Sequence, residues 1–321
     1  MREATGDLDS ATLGTEAILA ARGDKHPVPV DRPYAFFVEA EHGEDGQVVE
    51  VATLFLSNSE CSFRCLVCDL WRRTLDAPTP RGVIPRQIRF ALTRLRSATH
   101  LKLYNSGNFF DRRAIPQEDW PAIAQLARPF AHVTVENHPR LCDDRCERFK
   151  GMLTGSFEIA LGLETIHPLV LPRLNKQMTL DDFDRAVERL LGGGIAIRAF
   201  ILLRPPFLDE SEGVEWAIKS IAHAFSRGVT CCAVIPTRAG NGIMEQLQAE
   251  GHFSPPRLVS LETVLDQGLD MKRGRVFVDL WDAQRFADCP RCAEARIQRL
   301  KRMNLSQVWE TSVRCGCEAC P

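Results

Sequence analysis

Three cysteines, Cys61, Cys65 and Cys68, lie in the stretch SNSECSFRCLVCDLW at residues 57–71. Thiolates hold zinc ions and iron–sulfur clusters. A structural zinc takes four ligands, so three thiols fall one short. A four-iron cubane held by three protein thiolates keeps one iron open to an outside ligand. A zinc completed by a distant fourth cysteine, or thiols buried without a metal, are the other readings of the same residues.

The chain has 12 cysteines in 321 residues, grouped as 61/65/68, 142/146, 231/232 and 289/292/315/317/320. Cys289, Cys292, Cys315, Cys317 and Cys320 form a second set, CPRC and CGCEAC, suited to a tetrahedral zinc or an auxiliary iron–sulfur cluster. Cys142 and Cys146 would share one helix face and read as packing. Cys231 and Cys232 are adjacent in an apolar strand, so they must face opposite sides and read as small buried hydrophobes. The N-terminal residues carry Asp7, Asp9 and Glu16 without an apolar core of signal-peptide length. No run of ~18 apolar residues occurs. A cytoplasmic protein without membrane association is expected, and in that reducing compartment thiols serve metals or clusters rather than disulfides. Composition is 45% hydrophobic and 26% charged with a net charge of −2, so global charge makes no case for a polyanion partner.

The elements that must position these residues follow a regular pattern. Residues 1–47 read as a loosely attached lead-in with a short amphipathic piece at Leu13–Ala21. Over 48–250, apolar β-branched stretches alternate with helical ones six times. The strands are VVEVATLFLS, HLKLYNS, AHVTVEN, SFEIALGLE, IAIRAFILL and VTCCAVIPT. Thr179, with Asp182 three residues on, marks one helix start, and Gly192 to Gly194 its end. Such repeats require a parallel α/β sheet, curved or doubly wound, with a site at the C-terminal strand ends. Residues 251–321 read as a C-terminal extension with a short strand, RVFVDLW, and a long basic helix from about Ala283 to Met303.

The C-x3-C-x2-C motif after the first of six strand–helix units resembles the radical S-adenosylmethionine (SAM) superfamily. That resemblance covers roughly residues 48–240 and implies a partial (β/α)6 TIM-like barrel with a small cysteine-containing extension. It implies a [4Fe-4S] cluster on Cys61, Cys65 and Cys68, whose open iron chelates SAM and whose electron releases a 5′-deoxyadenosyl radical. One departure is Val67, where relatives often carry an aromatic residue beside adenine; Trp71 is the substitute to test.

The same resemblance implies further contacts to SAM. Asn105, Ser106, Gly107 and Asn108 match the segment that binds its amino group, although the acidic residue common there is Asn108. Glu136, Gly162, Glu164, Arg198 and Pro236 are the other cofactor-binding expectations, with Ile235, Thr165, His167 and Asn175 in the same segments. Arg198 would meet the SAM carboxylate or Glu164, or form a structural ion pair. Arg204 reads as a loop anchor, and His138 as a loop histidine, structural or in contact with substrate. The segment GLETIHPLVLPRLNK resembles enzymes of the coproporphyrinogen-oxidase and elongator-catalytic-subunit type.

LYNSGNFFDRRAIP, GLETIHPLVLPRLNK and CPRC also resemble the radical-SAM subunit of archaeosine synthase, which acts on a modified tRNA base. The expected activity is therefore an oxidoreductase or lyase-type hydrogen abstraction, served by an electron donor such as flavodoxin or ferredoxin. A tRNA base and a small-molecule or natural-product intermediate both remain open as substrate. The basic run 291–304, with Arg81, Arg86 and Arg89, would meet RNA phosphates in the first case. A zinc-stabilised binding module without radical chemistry is the alternative from another class.

Overall fold

The computed structural model describes residues 13–316. Eight strands form one sheet in chain order: β1 (Ala35–His42), β2 (Val48–Phe55), β3 (His100–Tyr104), β4 (His132–Asn137), β5 (Ser156–Glu164), β6 (Ala196–Leu203), β7 (Cys231–Pro236) and β8 (Arg275–Val278). β1 and β2 are antiparallel and every later pair is parallel. The six expected strands are β2 to β7. The helix Leu180–Gly192 begins at Thr179 with a reciprocal capping box to Asp182, and buries Phe183, Ala186, Val187 and Leu190. The next helix, Glu210–Ser226, repeats the device with Asp209 and Glu212.

Two expectations at the ends of the chain are corrected, the loose lead-in and the extent of the basic helix. Residues 35–42 are the edge strand β1, not part of a loose lead-in. Their alternation is disguised because Glu39 and Glu41 face an interior that is itself charged. Ahead of them, the helix Thr15–Ala20 buries Ile18 against Leu66, Ile243, Met244, Leu247 and Phe253. The basic helix runs only from Ala293 to Ser306, after a 3-10 turn at Ala283–Phe286 and the Cys289–Cys292 bend. Pro290, within that bend, has no N–H with which to continue a helix.

Contacts between distant strands show that the sheet curls into a partial barrel. Tyr104 of β3 meets Phe200 of β6 with ring centroids 6.2 Å apart. Arg198 of β6 holds Glu41 of β1 at 2.7 Å and Glu158 of β5 at 3.0 Å. Lys102 bonds Glu41 and lies 3.3 Å from Glu39, while Arg275 reaches Glu158 at 3.5 Å. Three acids and three bases thus neutralise one another in a floor across the barrel. Burial alone would raise the pKa values of Glu41 and Glu158, but the adjacent cations outweigh it and hold both carboxyls well below their usual range. Above this floor, Phe37, Phe55, Tyr104 and Phe200 form an aromatic shelf; successive ring centroids lie 5.9–6.2 Å apart.

Candidate functional site

The cysteine loop leaves β2 at the C-terminal end of the barrel and is fixed along its length. Ser57 N–H donates to Gln87 Oε1 (2.8 Å), and Gln87 Nε2 donates back to Ser57 O (2.7 Å). Ser59 N–H donates to Thr79 Oγ1 at 2.9 Å. Glu60 gathers Arg22 (2.7 Å), Lys25 (2.8 Å) and Arg64 (3.4 Å). Farther on, Leu66 N–H donates to Leu174 O (2.8 Å), and Asn175 Nδ2 to Arg64 O (2.7 Å). Asn241 Nδ2 donates to Leu66 O at 2.7 Å and Cys68 O at 3.2 Å. Leu66 is fully buried, so the loop is packed as well as hydrogen-bonded.

Beside the thiols, the segment after β3 turns through Ser106, whose φ of 50° is left-handed. Glu136 Oε1 accepts from the N–H groups of Asn105 (2.5 Å) and Gly107 (3.3 Å). Burial pushes the Glu136 carboxyl up to about 7, against the pull of those amides. Asn108 Nδ2 donates to Cys61 Sγ at 3.1 Å. A Cβ on Gly107 would stand 3.5 Å from that of Cys61, so the two segments touch. On the opposite side, Glu164 (φ 64°) pairs with Lys176 Nζ at 2.5 Å. Burial pushes the Cys65 thiol up to about 11 while the Lys176 ammonium pulls it down.

The structure therefore brings Cys61, Cys65, Cys68, Asn105, Ser106, Gly107, Asn108, Glu136, Gly162 and Glu164 to one mouth of the barrel. Pro236 closes β7 and is buried, while Ile235 is half-buried. Arg198 is not with them. It lies in the floor, saturated by Glu41 and Glu158, which is the ion-pair reading rather than a SAM contact. Trp71 is also corrected: it is 4% exposed, with the guanidinium groups of Arg22 (4.5 Å) and Arg72 (5.3 Å) over its ring, so it is buried in the fold rather than open to adenine.

Other predicted residues make contacts within the fold. His138 stacks on Phe63 at 3.7 Å, accepts from Arg140 N–H at Nδ1 and bonds Lys176 O through Nε2. Burial and nearby cations push its pKa down to about 3, so it is neutral. His167 Nδ1 accepts from Leu169 and Val170 N–H. Thr165 is buried and its hydroxyl accepts from His167 N–H. Arg204 anchors its loop on Glu210 (2.5 Å) and Pro255 O (2.9 Å). Cys231 and Cys232 are both buried, and Cys146 lies in the core. Cys142 precedes the helix Asp144–Lys150 instead of sharing it.

Sequence reasoning missed Asn241 and Lys176. Asn241 stands between Gly240 and Gly242 after a strand, a signal of a constrained turn; Lys176 follows Asn175 directly.

In the C-terminal extension, the ligand atoms of Cys289, Cys292 and Cys315 all lie within 4.8 Å of one another. Cys317 and Cys320 lie outside the described residues. In the basic run expected to meet RNA, Arg296 and Arg299 are paired inward, Arg302 is paired on the surface, and Arg291 and Lys301 are exposed. Arg296 reaches Glu262 (2.5 Å), Arg299 reaches Asp266 (2.7 Å) and Arg302 reaches Glu310 (2.8 Å). Among the described residues, no helix is long and apolar enough to cross a membrane.

This curled, mostly parallel sheet with its thiol-bearing loop after β2 is a fold shared with solved structures. It is similar to methylornithine synthase (TM-score 0.55, 13% identity, 83% of this chain and 72% of that one). It is also similar to Streptococcus suis SuiB bound to S-adenosylmethionine (TM-score 0.51, 11% identity, 69% and 48%).

By sequence, the chain is 23% identical over 321 residues to an uncharacterized protein of Methanocaldococcus jannaschii, covering 90% of this chain and 85% of the relative. It is 28% identical over 173 residues to archaeosine synthase subunit beta of Methanosarcina acetivorans (52% and 50%). It is 30% identical over 173 residues to the same subunit from Thermococcus kodakarensis (51% and 53%). The chain thus spans about half the length of these two subunits. No family model matches.

Proposed function

We propose that the chain is a radical-SAM enzyme, with a [4Fe-4S] cluster on Cys61, Cys65 and Cys68 and SAM bound at the adjoining wall. The observation that carries this is Asn105. It is fully buried beside the cysteine loop, and neither its side-chain oxygen nor its nitrogen has a hydrogen-bond partner among the described residues. An unsatisfied buried amide costs about 1–3 kcal/mol, so a polar ligand is what this position fits. When bound, the cluster and SAM supply one-electron reductive cleavage of the sulfonium and hydrogen abstraction from a substrate.

The chain's own residues hold and orient these groups. Asn108 donates to Cys61 Sγ, which favours the thiolate a metal needs. Glu136 fixes the turn through Asn105 and Gly107, and its carboxyl stands where an ammonium group would be neutralised. Lys176, held by Glu164, places a cation beside the thiols. The charged floor closes the far end, and the aromatic shelf offers a flat apolar surface for a ring.

For the substrate we favour a modified base in tRNA. The similarity to archaeosine synthase subunit beta supports it, and so does the shelf of Phe37, Phe55, Tyr104 and Phe200. A free small molecule is the second reading, favoured by the inward pairing of Arg296 and Arg299. Cytoplasmic location and a flavodoxin or ferredoxin as reductant follow from the same reading.

Anaerobic reconstitution with iron and sulfide tests it. A brown protein that releases 5′-deoxyadenosine from SAM and dithionite, with both properties lost in Cys65→Ala, is expected. A colourless protein binding only zinc overturns it. Stimulation of SAM cleavage by bulk tRNA, weakening with salt, separates the two substrates.

A further inference from the structure

The geometry points to a second metal site, a structural zinc on Cys289, Cys292 and Cys315, that fastens a clasp over the open seam of the barrel.

The thiol spacing selects the ion. With Zn–S bonds of about 2.3 Å in a tetrahedron, neighbouring sulfurs stand about 3.8 Å apart. Cys289 Sγ and Cys315 Sγ lie 4.0 Å apart, and the three sulfurs fit within 4.8 Å. Thiolates on different irons of a cluster stand farther apart than thiolates on one ion. Cys61, Cys65 and Cys68 are close enough to influence one another's ionisation, yet their sulfurs do not gather within that 4.8 Å limit. The two triads therefore suit different inorganic groups. Cys289 and Cys292 form a knuckle, with Ala293 N–H donating to Cys289 O (3.2 Å) and Arg296 Nε donating to Cys292 Sγ (3.3 Å). Among the described residues these three thiols supply three of the four ligands a structural zinc takes.

What the ion would fasten is visible in the surrounding contacts. The helix Ala293–Ser306 packs against β8 and β1, the two edge strands of the sheet. At its end, Asn304 and Gln307 use their side-chain amides as a neighbouring strand would use its backbone. Asn304 accepts from Val278 N–H (3.0 Å) and donates to Val278 O (2.9 Å); Gln307 does the same with Val276 (2.7 and 2.9 Å). His42 of β1 bonds Leu305 O at 2.9 Å. Exposed edge groups are thereby satisfied without a strand. The chain then doubles back along the helix. Fully buried Arg299 holds Glu310 O through Nε (3.0 Å) and Nη2 (2.6 Å), and Cys315 returns to the knuckle at the helix start. A metal at that point ties both ends of the clasp together.

The test does not depend on radical chemistry. Full-length protein carrying Cys61→Ser, Cys65→Ser and Cys68→Ser is loaded with Zn²⁺, dialysed and assayed for metal. We expect ~1 zinc per chain, falling about tenfold or more when Cys289→Ser is added. Stripping the zinc should raise hydrogen exchange about tenfold at the Val276 and Val278 amides and in the helix Ala293–Ser306. Zinc content unchanged by Cys289→Ser, or an iron–sulfur chromophore in the triple variant after anaerobic reconstitution, overturns the assignment. Wild-type protein supplies an independent reading by zinc X-ray absorption. A shell of sulfurs at about 2.3 Å supports the site, and a shell dominated by nitrogen or oxygen overturns it.

Discussion

Asn241, on the loop after β7, donates one side-chain amide to the carbonyls of Leu66 (2.7 Å) and Cys68 (3.2 Å), while its oxygen accepts from Met244 N–H (3.0 Å). One buried residue thus joins the loop after β7 to the loop that carries the thiols. Asn241→Ala leaves the Leu66 carbonyl unsatisfied, at a cost of about 1–3 kcal/mol. The variant should melt earlier and retain less iron after reconstitution. Equal melting and equal iron and sulfide content would remove Asn241 from the site.

Glu136 has a folded pKa of about 7, above the ordinary carboxyl value of 4.5. Its protonated form favours the folded state, so this contribution is complete below about 4.5 and is lost as pH rises through about 7. A cationic ligand prefers the ionised carboxyl, so SAM affinity should rise over the same interval. In Glu136→Gln that part of the profile should be flat. Equilibrium dialysis of SAM against both proteins between about pH 6 and pH 8 checks the difference.

Arg198 stands between Glu41 and Glu158 in the floor. Arg198→Ala leaves two buried carboxylates short of a partner and should cost about 3–5 kcal/mol, read as a lower urea midpoint. The carboxyl pKa values are lowered in the fold, so the stability they contribute is present above the unfolded value of 4.5 and is lost as pH falls through the folded values. The difference in midpoint between wild type and Arg198→Ala, which isolates these carboxyls from Glu136, should be steady from neutrality to about pH 5 and shrink below it. An Arg198→Ala protein as stable as wild type would contradict this account.

Gly162 lies where β5 shifts register, and a Cβ there would stand 2.1 Å from Glu164 Oε1 and 2.3 Å from Lys176 Nζ. Gly162→Ala must push that ion pair aside. Both atoms end flexible side chains, so the fold should survive with little change in melting. SAM binding should weaken about tenfold, equivalent to about 1.4 kcal/mol. Unchanged binding would show that the position of Lys176 does not matter to the ligand.

The cysteine spacing, the strand–helix alternation over 48–250 and the Thr179 capping box were legible in the sequence because each is a local regularity. A thiol triad sets its ligand count within eight residues, and periodicity follows from the geometry of a single strand or helix. Strand β1 was not legible, since Glu39 and Glu41 look solvated until Lys102 and Arg198 are known to face them. Trp71 looked available until the fold set Arg22 and Arg72 beside it.

The sequence by itself determined the local pattern: three thiols after a first strand, followed by repeats that build a wall around them. Only the tertiary structure decided which polar residues face the site and which hold the barrel closed. Arg198 and Glu41 are 157 residues apart, and Asn241 and Leu66 175 apart. Curling of the sheet brings such partners together. A charged or amide side chain has the same local signature whether it faces water, a ligand or a counter-ion, so its role is fixed by closure rather than by its neighbours in the chain.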